Sequence, residues 1–192
     1  MNKEISKNDG TLLLALARQS IIHEFQNRGN KLKSLKDKAS SLILEENRGT
    51  FVTLHKNRKL RGCIGNIEPV KNIFQGVQDN AKNAAFNDTR FSPLSLEELD
   101  ETIIEVSILT QPENIDYTDI QDLITKLKPG IDGVIIKKDY NSATFLPQVW
   151  KQLKDPEIFL KHLCIKARLQ PDELESGNLN VAAYQIQLFE EA

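Results

Sequence analysis

The chain is short of several things, and each shortage removes a class of protein. Of its 192 residues only Cys63 and Cys164 are cysteines. Two cysteines so far apart are no disulfide framework, and a reducing compartment, the cytoplasm, is expected. The first residues have no signal-peptide layout. The longest apolar run, Leu12-Leu13-Leu14-Ala15-Leu16-Ala17, falls far below the roughly 20 residues of a membrane helix. Neither charge sign is in excess. There are 25 Lys and Arg against 27 Asp and Glu, a net charge of −2, so no general affinity for nucleic acid or anionic membrane is expected. Lys31, Lys33, Lys36 and Lys38 form a basic stretch, but no aromatics interleave it, and it reads as a solvated loop. The three histidines, His23, His55 and His162, are scattered. With no paired Cys or His at ligand spacing, no metal site is expected. Gly62 and Gly65 match neither a Walker A loop nor a dinucleotide fingerprint, so no cofactor is implied. There is no internal repeat and no low-complexity tract.

What remains is an ordinary globular composition, 40% hydrophobic and 27% charged. The length suits one domain, or one domain with a lobe inserted in it, and buries a core without staples. Apolar spacing predicts a helix over residues 11–28 with Leu13, Leu16, Ala17 and Ile21 on one stripe. Residues 51–55 read as a strand that turns at 56–59 into a second strand. Pro69 is placed in the first turn of a helix that runs on through Val70, Ile73, Phe74, Val77, Ala81, Ala84 and Ala85. Residues 87–93 break it. Ser95 with Glu98 forms a capping box, and Thr118 with Gln121 a second. Strands are expected at 103–109, 133–137, 143–146 and 181–189, and Asp155-Pro156 opens the last long helix. Hairpins and helices mix without a βαβ rhythm, which predicts an α+β fold with antiparallel sheet.

The stretch richest in chemistry is Leu60-Arg61-Gly62-Cys63-Ile64-Gly65. Two glycines weaken a strand and mark a bulge or a close approach. In a regular strand Arg61, Cys63 and Gly65 would share one face, with Leu60, Gly62 and Ile64 on the other. A guanidinium beside a thiol can lower the thiol pKa, which makes Cys63 the candidate nucleophile. The alternative is a half-buried cysteine that packs or lines a site, since free Cys is among the most buried residue types. His55, on the preceding strand, would fall near Arg61 rather than Cys63. Asp88 and Arg90 form a second constellation, with three readings open: recognition, pairing with each other, or capping the helix. Gln148, after Pro147, either reads a ligand or satisfies buried backbone. Trp150 is assigned to the core.

The hexapeptide resembles the signature of the AMMECR family. Further resemblance, in order, lies in Gly49-Thr50-Phe51-Val52-Thr53-Leu54, in Asp88-Thr89-Arg90-Phe91-Ser92-Pro93-Leu94 and in Glu105-Val106-Ser107-Ile108-Leu109. Gly130-Ile131-Asp132-Gly133-Val134 and the segment from Ala143 to Trp150 complete it. Thr89 stands where the family segment carries proline, and Arg168 where a glycine is common. The resemblance covers roughly residues 11–190, so that 1–192 is read as a single AMMECR-type domain. It implies two lobes: a larger one with an antiparallel sheet and flanking helices built from both chain ends, and a smaller inserted one over about 112–170. It places the hexapeptide at a cleft between them; joined to the residue readings above, this gives Arg61, Gly62, Gly65, Asp88, Arg90 and Gln148 as candidate binding residues and Cys63 as the one candidate for catalysis. It also implies partners, a Memo-like protein and a radical SAM protein of the AmmeMemoRadiSam association. It supplies no settled reaction. Ligand binding with a Cys63-dependent step and a non-catalytic protein-interaction module are both carried forward.

Overall fold

A computed structural model describes residues 4–26, 42–175, 177 and 179–192. The lysine-rich stretch and the expected stop of the first helix at 27–30 lie outside them. Along the chain run α1 (Lys7–Gln26), β1 (Thr50–Lys56), β2 (Lys59–Asn66), α2 (Ile73–Phe86), α3 (Leu96–Asp100), β3 (Thr102–Leu109) and β4 (Glu113–Asn114). Then come α4 (Ile120–Lys126), β5 (Gly133–Lys138), β6 (Asn141–Phe145), α5 (Pro156–Lys166), β7 (Asn180–Tyr184) and β8 (Ile186–Glu190). Two four-stranded sheets result, ordered β2-β1-β3-β8 and β4-β7-β5-β6, with every pairing given a register antiparallel. The fold is α+β. No helix among the described residues is long and apolar enough to cross a membrane.

The described residues divide into two compact units. One lies within Met1–Thr110 together with Gln187–Ala192, and the other is Gln111–Ile186. In the first, the core face of the sheet carries Val52, Leu54, Ile104, Val106 and Ile108 against Leu13, Leu16, Ala17 and Ile21 of α1 and Ile73, Val77, Ala81 and Ala84 of α2. Arg18 ties the two chain ends of this unit. It grips the Glu191 carboxylate and donates to the carbonyls of Leu99 (3.1 Å) and Thr102 (2.7 Å). In the second unit, Val134, Ile136 and Val181 of the sheet meet Phe159, Leu160, Leu163 and Cys164 of α5. Trp150 lies in this core, with its ring stacked on Phe159 at 3.7 Å and its indole N–H donating to the Asp132 carbonyl.

Three sequence expectations need correction. Pro69 does not open α2. Asn72 is the N-cap, its side chain accepting from the Gln75 N–H, and Val70 stands outside the helix and exposed. The cap of α4 is Asp119 rather than Thr118, because Asp119 accepts from the Asp122 N–H while Asp122 in turn accepts from the Thr118 N–H. Residues 181–189 are not one strand. They break at Gln185, whose side chain donates to Asp132, so that β7 pairs with β5 in one sheet and β8 joins the other beside β3.

Candidate functional site

Asn57 and Arg58, both at positive φ, make the two-residue turn between β1 and β2; that geometry matches the right-handed twist of the flanking strands. From there the register runs Lys56↔Lys59 and His55↔Leu60, then skips to Leu54↔Gly62. Arg61 is therefore an extra residue on β2, a β-bulge. A slip of one residue turns every following side chain to the other face. Without it Cys63 would lie opposite Val52, which is fully buried. With it Cys63 lies opposite Thr53, and Gly65 opposite Phe51, on the face away from α1 and α2. The expected sharing of one face by Arg61 and Cys63 is thereby replaced. Leu60, Cys63 and Gly65 share a face, Gly62 and Ile64 turn to the core, and Arg61 sits at the bulge.

Both glycines make room for protein atoms. A Cβ on Gly62 would stand 2.2 Å from the Ala84 carbonyl oxygen of α2, and one on Gly65 would stand 2.2 Å from the Phe51 ring. The alanines at the end of α2 permit the approach that Gly62 completes.

Arg61 directs its guanidinium at Glu98, through Nε–Oε1 (3.2 Å) and Nη2–Oε2 (2.8 Å), and at the Ser92 carbonyl (3.0 Å). Its side chain is 11% exposed, and its Nη1 is buried with no hydrogen-bond partner among the described residues. The Arg61 pairing holds the Glu98 carboxyl down at about 2, while the same carboxylate closes the α3 capping box with Ser95. Lys56 lies 3.4 Å from Glu98 and 3.3 Å from Glu101.

The cation bound to Cys63 is Arg90. The Cys63 N–H donates to Asp88 Oδ2 (2.9 Å), and the Cys63 carbonyl accepts from Arg90 Nη2 (3.2 Å). Asp88 and Arg90 close the loop on each other through Nε–Oδ1 (2.9 Å) and Nη2–Oδ2 (2.7 Å). The Arg90 hydrogen bonds hold the buried Asp88 carboxyl well below the usual carboxylate range, and Cys63 adds to the effect through its N–H. The Arg90 side chain stays 55% exposed. Phe91 sits near both guanidiniums, 5.9 Å from Arg61 and 5.5 Å from Arg90. Of the alternatives left open in the sequence, mutual pairing is present: Asp88 is consumed internally, and Arg90 keeps an open side.

The Cys63 thiol is partly exposed and receives the Thr53 hydroxyl at 3.4 Å. No histidine or carboxylate hydrogen-bonds to it among the described residues. His55 lies opposite Leu60 and faces Glu105 at 3.9 Å, where burial raises the Glu105 pKa. Cys164 is a different kind of thiol, fully buried and pushed up to about 11 by that burial. Gln148 belongs to the second unit, exposed in a short 3-10 turn at Pro147–Lys151. No group of three or more metal-ligating side chains occurs among the described residues. Sequence reasoning missed Thr53 as the partner of the thiol and Glu98 as the partner of Arg61. Thr53 was hidden because only the bulge brings it opposite Cys63. Glu98 was visible, but only as a cap.

The AMMECR1 family model matches residues 14–189. A protein of Methanothermobacter thermautotrophicus is 38% identical over 97% of this chain and 96% of its own length. One from Saccharolobus solfataricus is 40% identical over 98% and 84%. The crystal structure of the uncharacterized protein PH0010 from Pyrococcus horikoshii superposes with a TM-score of 0.79 at 34% identity, covering 97% of this chain and 93% of that one. With matches of this length the chain belongs to the AMMECR1 family.

Proposed function

We propose that the protein binds a small ligand with a negative group at the edge of β2 beside Cys63. The observation that carries this reading is the Asp88–Arg90 clamp. It fixes both backbone groups of Cys63 and one side of Arg90, and so holds a partly exposed thiol and a half-exposed guanidinium in a set relation. Arginine suits planar anions such as carboxylate. Cys63 lines the site. With no base hydrogen-bonded to the thiol among the described residues, binding is favoured over a covalent step.

Alkylation of Cys63 by iodoacetamide tests it, with buried Cys164 as the internal control. N-acetylglycine or inorganic phosphate, raised to about ten times its Kd, should slow the alkylation of Cys63 by about tenfold, and Arg90→Gln should abolish that shielding. Unchanged labelling in the presence of every carboxylate and phosphate tried sinks the reading.

A second reading is a docking surface for a protein such as the Memo-like or radical SAM partner. It draws on Leu60 and Ile103, 42% and 38% exposed, which flank His55 in one row across the sheet. Under it, the double substitution Leu60→Glu with Ile103→Glu removes co-purification of the partner and leaves the shielding of Cys63 intact.

A further inference from the structure

Among the described residues, strand β2 is the outermost strand of its sheet. An outermost strand presents a row of N–H and C=O groups that another chain can pair with. At Cys63 the row is already answered by side chains, Asp88 taking the N–H and Arg90 reaching the carbonyl. Backbone groups alternate in direction along an antiparallel strand. Since both groups of Cys63 point away from β1, both groups of Gly65 do so too. Neither has a partner outside its own sheet among the described residues. One donor and one acceptor, on one residue and facing the same way, are what an added strand pairs with.

The clamp also says where such a strand must stop. Asp88 and Arg90 occupy the edge at Cys63, two residues and about 7 Å along from Gly65. A chain paired with Gly65 cannot continue past that point. Its end falls beside Arg90, whose Nε and Nη2 are committed but whose Nη1 holds no hydrogen bond among the described residues. A chain end that meets a half-exposed guanidinium is matched by a free carboxylate.

Resting on the ligand site proposed above, we infer that its ligand is an extended peptide segment ending in a free C-terminal carboxylate. One carboxylate oxygen accepts from Arg90 Nη1. The residue opposite Gly65 exchanges N–H···O=C bonds with it, as in other strand additions. The side chain of that residue stands on the Phe51 side of the sheet, where the ring already covers Gly65, so an apolar residue fits there.

The probe is N-acetyl-Ala-Val-Val with a free carboxylate, compared with its C-terminal amide and with a version N-methylated at both valines. The free acid should bind saturably and slow hydrogen exchange of the Gly65 amide by about tenfold. The amide and the N-methylated peptide should each bind about tenfold more weakly, having lost a charged contact or the strand pairing. Equal affinity for acid and amide, or binding that leaves the Gly65 amide unchanged, overturns the inference. If N-acetylglycine shields Cys63 and the tripeptide binds no better, the peptide inference fails and the ligand site stands. If neither of these probes nor inorganic phosphate shields Cys63, both fall.

Discussion

Arg168 is held at φ 60°, in the left-handed region. It follows the last turn of α5, where its N–H donates to the Ile165 carbonyl (3.0 Å) and the Leu169 N–H to the Cys164 carbonyl (2.9 Å). This is the Schellman ending, and glycine is the residue that adopts it without cost. A residue with a Cβ is strained there by roughly 1–2 kcal/mol, part of which glycine gives back through the greater freedom of its unfolded chain. Arg168→Gly should therefore stabilise the protein by about 1 kcal/mol, read as a rise in the denaturant midpoint with unchanged slope. A fall in the midpoint would show that the Arg168 side chain contributes more than its backbone costs. The same residue was marked in the sequence as a departure from the family pattern. What the departure does was not legible, because φ is a property of the fold.

At the scale of elements, the loop at residues 87–95 and α3 are fastened to β2 by side chains rather than by a sheet ladder. Arg61 reaches Glu98 and the Ser92 carbonyl, Arg90 reaches the Cys63 carbonyl, and Ser95 caps α3. Leu94 anchors the loop in the core, with its N–H on the Ala85 carbonyl. Removing one partner of a mostly buried ion pair leaves the other uncompensated. Arg61→Ala should cost about 2–3 kcal/mol, below the fully buried range because Glu98 keeps some contact with solvent. Ser95→Ala should cost about 1 kcal/mol. Both act through Glu98, so urea denaturation of the double variant should show less than the sum. Strict additivity would mean that the cap and the pair are independent. Much at this scale was legible in the sequence. The capping box, the hairpin and the strand at 103–109 stand as read, because each is set by residues close together in the chain. The division of residues 181–189 between two sheets was not, because its alternation runs unbroken through Gln185.

For the whole molecule, the acid limit of stability follows from the same carboxylates. Glu98 titrates at about 2 in the folded protein against an ordinary 4.5, chiefly through the Arg61 hydrogen bonds, and Asp88 is depressed further by Arg90. A depressed carboxylate stabilises the fold above its unfolded pKa and loses that contribution as pH falls through its folded pKa. The stability difference between wild type and Glu98→Gln should hold constant from neutrality to about pH 4.5, then shrink toward about pH 2. Glutamine keeps the cap, so the titrating part belongs to the pairing with Arg61. A difference independent of pH across that window would place the carboxylate outside the folded protein's proton balance.

The sequence by itself determined the class of the protein, α+β with antiparallel sheet, most of its elements, its core stripes and the hexapeptide as the place to look. Those follow from periodicity and caps, which neighbouring residues encode. Tertiary structure alone decided what the hexapeptide does. A single bulge at Arg61 turns Cys63 from the core face to the other face. It also leaves Arg61 to Glu98 and gives the cysteine's edge to Asp88 and Arg90. Register depends on where the hairpin pairs and on the helix that packs at Gly62, and neither is written in the order of six residues.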